Sequence, residues 1–140
     1  MNMQVIDNKY LLIHTEEPQK ILSTITKSIE TTDGSVAVHW GLKEAQMLKT
    51  LGLPDVPSPI ERDYNWPGLF KPMNHQKETS SFLTLHPRAF CFNEQGTGKT
   101  ASAIWASDYL LEQEYIRRVL VICPVSVSYT HLRAHETEAD

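Results

Sequence analysis

Apolar residues in the first third of the chain recur with periods that predict a small unit of strands and helices. Tyr10–His14 is a short apolar run between polar residues, which is typical of a strand. Residues 18–29 have apolar positions at helical spacing behind a proline, and alternation over residues 36–40 predicts a second strand. A stripe over residues 42–51, followed by glycine and proline, predicts a second helix. Residues 1–53 are therefore expected to form a β-α-β-α accessory unit.

The next stretch, residues 54–74, holds five prolines and the aromatic residues Tyr64, Trp66 and Phe70. Prolines at this density exclude a regular helix or a central strand, so the pattern predicts an ordered connector on the surface. The aromatic side chains have two interpretations. They pin the connector to a core, or some of them form a wall of a ligand pocket.

The hydrophobic pattern of residues 75–126 predicts an α/β fold. A helix is expected over residues 75–85, a strand over 89–92, a helix over Lys99–Glu112 and a second strand over 119–123. The second strand is almost entirely apolar, as is typical of a parallel strand covered on both faces. We therefore expect a parallel βαβ sheet, with Cys91 and Cys123 buried in its strands and Trp105 in the core or at an interface.

Composition narrows the class of protein without assigning a function. The chain has 140 residues, of which 41% are hydrophobic and 21% charged, and this is the ordinary globular range. A net charge of −4 argues against a surface that is basic throughout and binds nucleic acid everywhere. Since we find neither a signal peptide nor a long apolar run, we expect a soluble cytoplasmic protein with no membrane contact. We also expect no structural metal.

The strongest chemical signal is the segment Asn-Glu-Gln-Gly-Thr-Gly-Lys-Thr at residues 93–100. Gly96 and Gly98 permit backbone N–H groups to converge on a phosphate, and the following helix adds its positive end. Lys99 is expected to contact the β- and γ-phosphates, and Thr100 is expected to coordinate Mg²⁺. The predicted ligand is a nucleoside triphosphate with magnesium, bound by Glu94, Gln95, Gly96, Thr97, Gly98, Lys99, Thr100 and Ala101.

The first position of this segment departs from the usual pattern, because Asn93 stands where the phosphate-loop motif has glycine. The expected strand before the segment and the expected helix and strand after it supply the βαβ context that the motif requires. The simpler alternative is a glycine-rich turn with an incidental lysine.

Three elements together resemble the opening motifs of a protein family: Gln76, the loop at residues 93–100, and Val-Ile-Cys-Pro-Val-Ser at residues 121–126. Their order and spacing are similar to those of Snf-like superfamily-two DNA helicases and translocases, of the DEAD/DEAH-box type, as found in bacteriophages. That family typically has aspartate at the position of Asn93. The resemblance implies a RecA-like domain in which Gln76 binds the adenine of ATP and Lys99 acts in catalysis. It further implies that Pro124 and Ser126 contact a DNA phosphate.

The same resemblance implies that ATP hydrolysis needs segments that this sequence lacks, because it contains no Asp-Glu-x-His motif. Residues 127–137 resemble an in-frame translation of a sequencing adapter, so we interpret 127–140 as an artefactual or disordered tail. His131 and His135 are therefore not assigned to a metal site. We expect the N-terminal part of a helicase, inactive alone. The alternatives are a P-loop kinase or other P-loop NTPase, and a non-catalytic nucleotide- or DNA-binding module. Protein partners are left open.

Overall fold

The computed structural model describes residues 2–93, 96 and 98–125. The chain is an α+β protein and divides into two units, Met1–Arg62 and Asp63–Asp140. Among the described residues, no helix has both the length and the apolar character needed to span a bilayer.

The first unit contains a four-stranded antiparallel sheet with the strand order β1-β2-β4-β3. Its strands are β1 (Asn2–Ile6), β2 (Tyr10–His14), β3 (Ser28–Glu30) and β4 (Val36–His39). A tight turn joins β1 to β2, and both Asp7 and Asn8 adopt positive φ there, at 53° and 54°. Short polar residues of this kind tolerate the left-handed conformation that such turns require.

One face of this sheet carries the buried core of the unit, and two helices contribute further buried side chains. Leu11 and Ile13 of β2 and Val36 and Val38 of β4 are all completely buried. They share one face because alternate residues of a strand point the same way. The helices are α1 (Pro18–Thr24), which contacts β3 and β4, and α2 (Leu42–Thr50).

The predicted strands at residues 10–14 and 36–40 and the predicted helix at 42–51 are confirmed, with end shifts of one residue at most. The expected helix over residues 18–29 is wrong in its second half. Here α1 ends at Thr24 and Ile29 lies in β3, opposite Ala37 of β4. Tertiary strand pairing therefore overrides the helical spacing of the apolar residues. Strand β1 was not predicted. It is short, and its side chains are exposed except for the half-buried Met3.

A short helix interrupts the proline-rich connector. Helix α3 (Ile60–Asp63) comes directly after Pro59, and Ile60 is fully buried. The prediction that this connector lacks helix is wrong here, because a proline at the start of a helix removes only an N–H that has no intrahelical acceptor.

The second unit is organised around α4 (Asn74–Leu85) and α5 (Lys99–Glu112), which pack against each other. The Ser80 hydroxyl donates a hydrogen bond to the carbonyl of Ser102 at 2.9 Å, and both serines are buried. Small residues at this crossing let the two backbones approach closely. The predicted helices at 75–85 and 99–112 are confirmed.

The predicted α/β fold, a RecA-like domain with a parallel βαβ sheet around the loop, is wrong for the described residues. Residues 89–92 and 119–123 contain no strand, and their large side chains are exposed: Phe90 at 81%, Phe92 at 87%, Leu120 at 84% and Ile122 at 87%. A parallel sheet is stable only with several strands and with both faces covered. The described part of the second unit offers these two candidate segments and no third strand. Cys91 and Cys123 are consequently half-buried free thiols rather than core residues.

Candidate functional site

The glycine-rich loop leads directly into the first turn of α5. Gly96 and Gly98 have φ values of 78° and 76°, in the left-handed region that glycine adopts at low cost. Gly98 is the N-cap of α5, and its carbonyl accepts the first helical hydrogen bond from Ser102 N–H at 3.0 Å. The N–H groups of the first helical turn lack intrahelical acceptors and carry the positive end of the helix dipole. Glu94, Gln95 and Thr97 lie outside the described residues.

Lys99 and Thr100 are the first two residues of α5, and both are half-buried. The Lys99 ammonium donates a hydrogen bond to the backbone carbonyl of Asn93 at 2.5 Å, so it lies back over the start of the loop. The helix end and this ammonium together give the loop a positive local field, which favours an anion.

Gln76 lies in the first turn of α4, and its side-chain amide faces Gly98 of the loop. It is 9% exposed, which rules out the simple alternative of a solvated side chain. Its Oε1 accepts a hydrogen bond from Met73 N–H at 2.8 Å and so caps α4. A Cβ on Gly98 would collide with Gln76 Nε2, so any larger residue there would displace the Gln76 amide. The residue expected to bind adenine is thus brought against the predicted phosphate loop.

A cleft of about 460 Å³ opens beside Gln76 and the first turn of α5. This volume lies within the usual range of small-ligand sites. The residues that line it come from the connector and both helices: Pro67, Gly68, Phe70, Lys71, Met73, Gln76, Ala101 and Trp105. The cleft therefore combines aromatic and apolar surface with one amide and one ammonium.

Tyr64 and Phe70 of the aromatic connector have different surroundings. Tyr64 pins the connector: its hydroxyl donates to Asp108 Oδ2 at 2.6 Å, and its ring packs edge-on against Tyr109 at 5.9 Å. Burial, followed by the hydrogen bond and the charge of Asp108, raises the pKa of Tyr64, so it remains a neutral donor. Phe70 instead is 73% exposed and lines the cleft.

Trp105 fixes the floor of the cleft. Its ring nitrogen donates to the Pro67 carbonyl at 3.0 Å, and its ring meets Trp66 edge-on at 5.6 Å. The side chain is 6% exposed, in agreement with the predicted core position, and it also faces the cleft.

Two other depressions fit a phosphate ligand less well. A depression of about 720 Å³ in the first unit is lined by Asn2, His14, Thr15, Glu16 and Glu17, and its two carboxylates would repel a phosphate. A second depression of about 460 Å³ runs along α5 between Thr100 and Cys123 and is lined mainly by apolar side chains. Electrostatics therefore favours the loop and the cleft beside Gln76.

Several predicted contacts remain predictions. Pro124 is exposed, whereas Ser126 and the tail at 127–140 lie outside the described residues. In the part of the chain that the structure describes, no three His, Cys, Asp or Glu side chains are grouped to hold a metal. Thr100 as a Mg²⁺ ligand is untested.

Sequence reasoning missed Thr79, Lys71 and Met73. The Thr79 hydroxyl accepts a hydrogen bond from Asn93 Nδ2 at 3.0 Å. Helical periodicity contained a signal for it, because residues three and four positions after Gln76 lie on the same face of α4. Lys71 and Met73 carried no signal beyond their place in the aromatic connector.

Comparison with protein-family models, with curated proteins and with solved structures found no match for this chain.

Proposed function

We propose that the chain binds ATP with Mg²⁺, with its phosphates at the loop of residues 93–100 and its adenine in the cleft beside Gln76. The observation that carries this proposal is the junction of two left-handed glycines, a helix N-terminus and Lys99 next to a ligand-sized cleft. Phe70 offers a face for base stacking, and Gln76 offers an amide for the adenine edge.

We further propose that the chain is the ATP-binding part of a cytoplasmic DNA helicase or translocase. This rests on the resemblance carried by Gln76, the loop and residues 121–126. The chain alone is expected to bind ATP without turning it over, because it contains no Asp-Glu-x-His motif.

The first experiment measures Mg·ATP affinity by titration calorimetry for the whole chain and for Lys99→Ala. Loss of a charge-assisted phosphate contact should weaken binding by at least about tenfold. Lys43→Ala, an exposed lysine on α2, is the control for the loss of one positive charge. Equal affinities for the two variants would reject the role of Lys99.

The second experiment compares ATP and GTP binding in Gln76→Ala. We expect ATP affinity to fall more than GTP affinity, because the adenine edge loses its amide partner. Thermal unfolding is measured in parallel, since the same substitution removes the cap of α4. Equal losses for both nucleotides, together with a lower Tm, would make Gln76 a structural residue only.

The helicase assignment has its own test. Resequencing the gene across codons 127–137 from an independent template should replace the adapter-like segment. The reading frame should then reach an Asp-Glu-x-His motif within roughly a hundred residues, because the motor domain must supply its magnesium ligand. A complete gene without that motif overturns the helicase assignment and leaves ATP binding standing.

A further inference from the structure

Three consecutive hydrogen bonds connect helix α4 to the ammonium of Lys99. Thr79 Oγ1 donates to the His75 carbonyl at 2.8 Å, and Asn93 Nδ2 donates to Thr79 Oγ1 at 3.0 Å. Lys99 Nζ then donates to the Asn93 carbonyl at 2.5 Å. Thr79, Asn93 and Lys99 are all half-buried. The Asn93–Thr79 and Lys99–Asn93 bonds are therefore partly shielded from competing water, whereas the Thr79–His75 bond is exposed.

The direction of these bonds explains why residue 93 is asparagine. A threonine hydroxyl has a single proton, and Thr79 uses it on the His75 carbonyl. Towards residue 93 the hydroxyl can therefore only accept. The asparagine side chain supplies an N–H donor. The general phosphate-loop motif has glycine at this position and the resembled family has aspartate, and neither glycine nor an ionised aspartate has a side-chain donor.

We propose that Asn93 is a positioning residue for Lys99, with Thr79 as its anchor; this inference rests on the proposed nucleotide site. The Asn93 side chain ties the start of the loop to α4, and its backbone carbonyl holds the ammonium over the loop. A lysine side chain has four rotatable bonds and therefore substantial rotamer entropy. Holding the ammonium in place reduces the entropy lost when a phosphate replaces the carbonyl as its partner.

The test measures how fast the Lys99 amine reacts in the empty protein. The whole chain is treated with an acetylating N-hydroxysuccinimide ester, and mass spectrometry follows modification of Lys99, with Lys43 as an internal reference. Thr79→Val removes the anchor at nearly constant volume, Thr79→Ser keeps the hydroxyl, and Asn93→Ala removes the donor. We expect Lys99 to react about three- to tenfold faster in Thr79→Val and Asn93→Ala, the effect of one neutral hydrogen bond.

Thr79→Ser should react at the wild-type rate, and the double variant Thr79→Val/Asn93→Ala should react no faster than either single variant, since both remove the same bond. Lys43 reactivity and thermal unfolding should stay unchanged, which separates positioning from loss of fold. Equal Lys99 rates in all variants overturn the inference. So does a rise of equal size at Lys43.

Mg·ATP is then added to each variant. Protection of Lys99 by ATP in the wild type, with weaker protection in Thr79→Val, supports both proposals. Faster Lys99 modification in the variants without any protection by ATP supports the positioning role and rejects the nucleotide site. If ATP protects Lys99 but the variants react at the wild-type rate, the nucleotide site is supported and the positioning role is rejected.

Discussion

The two units differ in whether their apolar, strand-forming segments are buried in a sheet. In the first unit, the apolar residues of β2 and β4 are completely buried in an antiparallel sheet. In the second unit, segments 89–92 and 119–123 are equally apolar and remain exposed without strand pairing. Apolar content alone therefore does not make a strand. A strand also needs partners. Strand β2 pairs with β1 across a tight turn and with β4 from further along the chain, whereas the described part of the second unit supplies no paired strand for residues 89–92 or 119–123.

Amide hydrogen exchange should show the largest contrast between the units. Amides in the β2–β4 ladder exchange only through opening of the sheet, whereas residues 119–123 have no ladder bonds. We expect the two segments to differ by several orders of magnitude in exchange rate, because core protection reflects several kcal/mol of opening free energy. Mass spectrometry of peptides from both segments makes the measurement. Strong protection of 119–123 would show that this segment is paired in solution.

Two isoleucine-to-alanine substitutions, one in each unit, test the same contrast through the free energy of unfolding. Ile13→Ala removes a completely buried side chain and should lower the free energy of unfolding by about 2–5 kcal/mol. Ile122→Ala alters a side chain that is 87% exposed and should change it by less than about 0.5 kcal/mol. Urea denaturation followed by circular dichroism measures both. If the two substitutions cost the same, the assigned exposure of residue 122 is wrong.

The second unit does have order of its own, which comes from the aromatic connector rather than from a sheet. Tyr64→Phe removes the hydrogen bond to Asp108 and should destabilise by about 1.5–3 kcal/mol, the usual value for a bond to a charged group. Tyr10→Phe, at a tyrosine that is 47% exposed on β2, is the matched control and should be nearly neutral. If Tyr64→Phe and Tyr10→Phe change thermal unfolding equally, the hydrogen bond from Tyr64 does not stabilise the connector.

The smallest effect concerns a turn of the first unit and depends on pH. Hydrogen bonds from the Thr31 hydroxyl and then from Ser35 N–H lower the pKa of Asp33 from 3.8 to about 2. A lowered pKa in the folded state stabilises the protein above pH 3.8, and this contribution is lost as the pH falls towards 2. Asp33→Asn should therefore lower Tm slightly at neutral pH, and its difference from wild type should shrink through this window. Asp55→Asn controls for the loss of one charge, and a difference independent of pH would contradict the assignment.

Much of the candidate site was predictable because its parts are local. The glycines, Lys99 and the start of α5 follow from a contiguous pattern, and helical periodicity located α4 and α5 within one residue. Two features escaped prediction because they depend on contacts distant in sequence. Gln76 reaches Gly98 across 22 positions, and Thr79 holds Asn93 across 14 positions. Where the Gln76 and Thr79 side chains lie relative to the loop depends on how α4 packs on α5.

By itself, the sequence determined the two helices that flank the loop, the left-handed glycines at 96 and 98 and the strands β2 and β4, because short-range backbone preferences and apolar periodicity specify each of them. The antiparallel pairing of β2 with β4 was decided by the tertiary structure. Only the tertiary structure decided that residues 89–92 and 119–123 do not form a sheet, that Ile29 joins β3 rather than α1, and that Tyr64 and Phe70 take separate roles. In each case the outcome depends on which partners are available across space, and a local pattern carries no such information.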